Sequence, residues 1–296
     1  MDNTVGCLTR VYIGELPYLK IFIEHGLNIG IEQFYLVFPS QAHADRIQSE
    51  LMPFRNHCQY FFEMNGRNVN KSLDVDFSLI KTDYLLSIDV DEFVYIDGNK
   101  PISLFLKERR IDACHMKWVM SPRDFDTPSG PLSGFIGHIG KRLARTSLVR
   151  GVSGPHGFDA DPNLRFRRDR HLHLVHYWGR SFEDIVIKCM YQMLLGEKRS
   201  SLDEMQALLK VRKLPHRLRV LASLTRHKHD VVLSHSNHKL FDEELQRELL
   251  SSVSPDFLAE LEGVYREYKD SLDYRRHVAT YPELGNIYEL GRTLPA

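Results

Sequence analysis

The sequence predicts an α/β fold built on a largely parallel sheet, and two observations predict it. Over the first ninety residues, short apolar runs alternate with segments of helical period, the pattern of strand–helix–strand units that lay helices on both faces of a sheet. The run Tyr84-Leu85-Leu86-Ser87-Ile88 then stops abruptly at Asp89-Val90-Asp91-Glu92. Ligands of such sheets bind outside the carboxyl ends of strands, and carboxylates there are placed for chemistry.

Residues 5–13 read as the first strand. Leu16, Leu19, Phe22, Ile23 and Leu27 then recur at helical spacing, with Pro17 tolerated at the start and Gly26, Asn28 and Gly30 as stop signals. Residues 34–38 read as a strand, 42–51 as a polar helix, 59–62 as a strand and 70–80 as a helix before the strand that leads to Asp89. Residues 102–109 form a short amphipathic helix and 115–120 a strand. Residues 121–140, rich in Pro, Gly and Ser, are expected to be a long loop that closes over a ligand. A strand at 146–150, a turn at 151–157 and a strand at 171–176 complete a first domain, expected at 1–190. Residues 191–296 read as a mainly helical C-terminal region.

Composition narrows the function. The chain has 296 residues, enough for a full core. Lys plus Arg and Asp plus Glu both number 39, so no global field favours nucleic acid, which is not an expected partner. Cys7, Cys58, Cys114 and Cys189 are scattered, as expected for reduced thiols in the cytoplasm. Neither a G-x-G-x-x-G nor a G-x-x-x-x-G-K-[ST] pattern follows a strand, which disfavours dinucleotide and P-loop enzymes.

If the strand continues through the acidic cluster, Asp89 and Asp91 share one face, while Val90 and Glu92 share the other. Two carboxylates so close repel unless a cation lies between them, and hard oxygen ligands suit Mn²⁺ or Mg²⁺. In His171-Leu172-His173-Leu174-Val175-His176 the parity separates His176 from the other two histidines, which argues against a three-histidine zinc site. His176, at the strand end, is the better ligand candidate for the ion held by Asp89 and Asp91.

Several stretches resemble one enzyme group. Glu15-Leu16-Pro17-Tyr18-Leu19 through His25, with Gly30-Ile31-Glu32-Gln33-Phe34-Tyr35, is similar to the opening of the family 2 and family 92 glycosyltransferases. Asp83-Tyr84 through Ile88-Asp89-Val90-Asp91-Glu92-Phe93 resembles their Asp-x-Asp-Glu-Phe element. Trp118, Leu148-Val149-Arg150 and His156 follow in the family's order, and His176-Tyr177-Trp178-Gly179-Arg180-Ser181 with Lys188 resembles their His-Tyr-x-x-(Lys/Arg)-Ser element. Gly14 stands where the family usually has Asn.

The resemblance implies a GT-A fold, a Rossmann-like sheet that binds a nucleotide sugar, and metal-dependent transfer from a nucleoside diphosphate sugar, UDP-linked, to a hydroxyl of a glycan, lipid-linked or glycoconjugate acceptor. It implies that Asp91 binds the ion, that Asp89 binds the ion or the ribose, and that His176 completes the shell. Arg180 and Lys188 would neutralise the diphosphate, and Arg10 and Glu15 would lie beside the base and ribose. Asp124, Asp126, Asp159 and Asp161 are open candidates for a base, and nothing in the sequence chooses among them; Glu92 is expected to hold neighbouring structure instead.

Residues 210–229 carry seven Lys and Arg and no acidic residue, with leucines three or four apart. This piece is expected to touch anionic lipid, which would place the enzyme at the inner face of a membrane. Two competing readings are a metal-dependent phosphoesterase or nuclease, and a glycan- or nucleotide-sugar-binding module without turnover. Nucleoside diphosphate release, phosphodiester cleavage or binding alone discriminates the three.

Overall fold

The computed structural model describes residues 3–11, 16–38, 41–62, 75–120, 132–154, 157–169, 171–177 and 278–281, with isolated positions between 255 and 266. The chain divides into two compact units, one of residues 1–121, 126–178 and 276–296, the other of 122–125 and 179–275. The described elements before residue 180 all belong to the first unit.

That unit is α/β, as the alternation predicts. It begins β1 (Val5–Arg10), α1 (Leu16–Asn28), β2 (Gln33–Phe38), α2 (Gln41–Leu51), β3 (Cys58–Phe62), β4 (Tyr84–Ser87) and β5 (Glu92–Ile96). It continues α3 (Ile102–Arg109), β6 (Ala113–Met120), β7 (Leu132–Arg145), β8 (Val149–Ser153), β9 (Gly157–Ala160) and β10 (Leu172–His176), and β11 (Val278–Tyr281) returns late in the chain. Among the described residues the main sheet runs β3-β2-β1-β4-β7-β6-β10-β5, with β11 beside β7, and β8-β9 form a separate hairpin.

β3, β2, β1 and β4 are parallel neighbours. Order 3-2-1-4 is that of a doubly wound nucleotide-binding half, whose ligand crevice opens outside the carboxyl ends of the strands where the winding reverses, here between β1 and β4. Arg10 ends β1, and Asp89 follows the end of β4.

Past β4 the sheet departs from the parallel expectation. β7 lies antiparallel between β4 and β6, and β5 pairs antiparallel with β10 at the far edge. Residues 132–140, expected within a loop, are the first part of β7. Gly140 serves close strand approach: a Cβ there would run into the Met116 carbonyl across the β6–β7 pair. Residues 121–131 lie outside the described residues, as does most of the helix expected at 70–80, whose described end is one 3₁₀ turn, Phe77–Leu79.

α1 packs Leu19, Phe22 and Ile23, all buried, at the helical spacing read from the sequence. Phe22 meets the rings of Phe34 and Phe93 edge-on, each at 6.0 Å. Gly26 lets the helix approach β2, since a Cβ there would strike the Phe34 ring. The β8–β9 hairpin places Val149, Val152 and Phe158 over Leu8, Tyr35, Leu85 and Ala144, closing a second apolar layer.

Candidate functional site

Asp89 and Asp91 are not on a strand, and Glu92 opens β5. β4 ends at Ser87, and residues 88–91 form a turn in which the Glu92 amide donates to the Asp89 carbonyl at 3.0 Å. Strand parity therefore does not sort these side chains, and the reading that set Glu92 with Val90 on the face away from Asp89 and Asp91 is corrected. Glu92 Oε2 accepts the Asp89 amide at 2.8 Å and lies 3.6 Å from Lys141 Nζ, while Glu92 Oε1 accepts the Trp118 indole N–H at 2.5 Å.

Glu92 is wholly buried, and Lys141 is 2% exposed. β7 delivers the lysine: Ser87 stands opposite Arg142, so Lys141 comes level with the turn just beyond β4. Its ammonium donates to Asp89 Oδ2 at 2.7 Å. Burial pulls the Lys141 ammonium down, but Asp89 and then Glu92 reverse the balance and hold it above its ordinary value. Burial pushes the Glu92 carboxyl well up; Lys141 opposes that shift, and Asp89 and Asp91 reinforce it. The Cys7 thiol, on β1, is raised first by burial and then by Glu92 and Asp89.

Asp91 and His176 form the other half of the cluster. Both are buried, with His176 Nε2 3.3 Å from Asp91 Oδ2. The chain is pinned twice here: the Tyr177 amide donates to the Asp91 carbonyl at 2.9 Å, and His176 stands opposite Glu92 in the β5–β10 pair. The Trp118 indole lies on the His176 imidazole at 4.5 Å, so the tryptophan that donates to Glu92 also fixes this ring. His176 Nδ1 is buried with no hydrogen-bond partner among the described residues.

The structure thus brings Asp91 and His176 together across 85 positions of sequence and ties Asp89 to Lys141. Among the described residues no group of three His, Cys, Asp or Glu is set to hold a metal ion. A pair of donors does fit one. Ligands at adjacent corners of an octahedron with bonds of about 2.1 Å lie roughly 3 Å apart, close to the Asp91–His176 spacing. His171 and His173 keep apart from this pair, as parity predicts: they share Asp97, which accepts from His171 Nδ1 at 2.9 Å and His173 Nε2 at 2.8 Å.

Of the remaining candidates, Arg10 is half-buried at the carboxyl end of β1. Asp159 is exposed on β9, in the hairpin that covers Leu8 and Tyr35, and Asp161 Oδ1 accepts the Asn163 amide at 2.7 Å. Glu15, Asp124, Asp126, His156, Arg180, Lys188 and residues 210–229 lie outside the described residues. Lys141 was missed by sequence reasoning because its strand reads as loop; the only signal is a Lys-Arg pair closing a Gly-rich apolar stretch. Among the described residues no helix is long and apolar enough to cross a membrane.

No family model matches the chain, and no curated protein matches it. Similar solved structures include S. aureus TarS 1–349, with 12% identity over 92% of this chain and 93% of that one at a TM-score of 0.36. The same protein in complex with UDP-GlcNAc matches with 11% identity over 92% and 93%, at a TM-score of 0.35. The S. cerevisiae mannosyltransferase Ktr4p matches with 13% identity over 40% and 41%, at 0.28. Likenesses this distant carry no argument about function, which rests on the geometry above.

Proposed function

We propose that this chain is a glycosyltransferase that moves a sugar from a nucleoside diphosphate sugar, UDP-linked, to a hydroxyl of a glycan, lipid-linked or glycoconjugate acceptor. The observation that carries the reading is the position of the Asp89–Asp91–His176–Lys141 cluster beyond the carboxyl end of β4, beside the crevice at which a doubly wound sheet takes a nucleotide.

In this reading Asp91 and His176 would hold Mn²⁺ or Mg²⁺. Bound there, the ion offsets charge on the leaving diphosphate. The acceptor oxygen bonds to the anomeric carbon while the bond from that carbon to the diphosphate oxygen breaks, and the electron pair leaves with the nucleoside diphosphate. The acceptor proton passes to a base.

This chain's own residues prepare the site. Lys141 holds the Asp89 carboxylate at 2.7 Å and keeps it from swinging toward Asp91, which leaves its free edge for donor hydroxyls. Trp118 locks Glu92 and the His176 ring together, so the imidazole meets the donor already oriented. Arg10, at the end of the neighbouring strand, serves the nucleotide. Asp124, Asp126, Asp159 and Asp161 are the candidates for that base.

Incubation with Mn²⁺ and a panel of nucleotide sugars, with nucleoside diphosphate release as the readout, tests the reading. Release supports transfer, with acceptor dependence separating it from hydrolysis. Phosphodiester cleavage without release would replace it with the hydrolase reading, and binding without turnover with the module.

A further inference from the structure

The Arg-rich run 165–170 has no part in the site above, yet the fold gathers it with Arg142, Lys117 and His115. β-register lines up one row of side chains across the sheet, Tyr35, Leu8, Ser87, Arg142 and His115, each opposite the next. Side chains paired across strands share a face, so Arg142 and His115 stand side by side on the face opposite Lys141. Lys117, two residues on from His115, joins them. Arg168 arrives from outside the strand: the His115 amide donates to the Arg167 carbonyl at 2.7 Å and the Arg167 amide to the Ala113 carbonyl at 3.0 Å, which straps the run along β6.

This group is built rather than scattered. The Arg142 guanidinium lies 4.5 Å over the Phe166 ring, which itself stacks with Phe158 of the hairpin. Arg142 Nε and His115 Nδ1 are both buried and have no hydrogen-bond partner among the described residues. Burial lowers the His115 pKa, and Arg168, Arg142 and Lys117 lower it further, so all three cations lie within electrostatic reach of the ring. Among the described residues no carboxylate pairs with any of the four. Like charges converging on unsatisfied donors cost free energy that an anion at their centre would return.

We propose that His115, Lys117, Arg142 and Arg168 form a binding site for a phosphate-class oxyanion. The inference does not rest on glycosyl transfer. The four lie on the sheet face opposite Lys141, so if that transfer occurs the anion is an acidic group on the acceptor, a tetrahedral oxyanion held by forked donors.

Calorimetric titration with inorganic pyrophosphate at low salt, without divalent metal, tests the site. Wild-type protein binds pyrophosphate, and Arg142→Gln, Lys117→Gln and Arg168→Gln each weaken binding about tenfold or more. Arg109→Gln, a cation on α3, leaves it unchanged. Absence of binding, or an equal loss in Arg109→Gln, overturns the proposal. Should Arg142→Gln fail to fold, Lys117→Gln and the exposed Arg168→Gln decide. Simultaneous binding of UDP and pyrophosphate supports an acceptor-side anion, and competition between them overturns that assignment. Pyrophosphate binding with no nucleoside diphosphate release in the transfer assay would retire the proposed function and leave this site standing.

Discussion

Lys141→Met is the perturbation that most sharply tests how the acidic cluster is held. The ammonium is 2% exposed and lies 3.6 Å from Glu92, which is 0% exposed, and 2.7 Å from Asp89, which is 45% exposed. Solvent screens the Asp89 pair, so most of the effect comes from Glu92. Removing one partner of a buried pair costs up to about 3–5 kcal/mol, less to the extent that Glu92, whose carboxyl burial already pushes well up, takes a proton instead. Even the lower part of that range is a large share of the roughly 5–15 kcal/mol typical of a domain. Methionine keeps the length of the stem, so the loss is of charge rather than volume. Urea denaturation of the wild type, Lys141→Met, Glu92→Gln and the double variant closes a mutant cycle. The double variant should recover at least about 1.5 kcal/mol relative to additivity, because the orphaned charge is gone. A loss below about 1 kcal/mol in Lys141→Met, with no coupling to Glu92→Gln, would refute the pairing.

Two further predictions concern the frame of the site. His25 is buried with its Nε2–H donating to the Val94 carbonyl at 2.7 Å, and burial lowers its pKa to about 4. The unfolded chain therefore takes up the proton first, and stability that is full above pH 6.5 falls as pH drops through the window from 6.5 to 4, by roughly 3 kcal/mol. His25→Phe should remove that part of the pH dependence in denaturation curves, and an unchanged slope would show that His25 is not buried neutral. Gly140→Ala should destabilise the fold by about 1–3 kcal/mol, because a Cβ there meets the Met116 carbonyl; a stability equal to wild type would mean that β6 and β7 do not approach as described.

Much of this architecture was legible because its signals are local. α3 occupies the span its amphipathic pattern predicts, and the apolar spacing of Leu19, Phe22 and Ile23 marks the buried stripe of α1. The pairing of Asp91 with His176 follows from two strand ends meeting at one side of the sheet. What escaped the sequence depends on long-range pairing. Parity assumed that β4 runs through Asp89, whereas it stops at Ser87 and a turn points Glu92 inward. The glycines of residues 132–140 read as loop because glycine loosens an isolated segment; within the sheet Gly140 lets β7 lie close to β6, next to Lys141. Nothing local in a lysine states that its partner lies 52 positions earlier.

The central claim is that Asp91 and His176 together hold a divalent ion for a nucleoside diphosphate. Calorimetry with UDP in the presence and absence of Mn²⁺, on wild-type protein, Asp91→Ala and His176→Ala, tests it directly. The account predicts Mn²⁺-dependent UDP binding that Asp91→Ala abolishes and His176→Ala weakens by about tenfold or more, with unfolding transitions that remain cooperative. UDP affinity that is unchanged in both variants, or that does not respond to Mn²⁺ in the wild type, would contradict it.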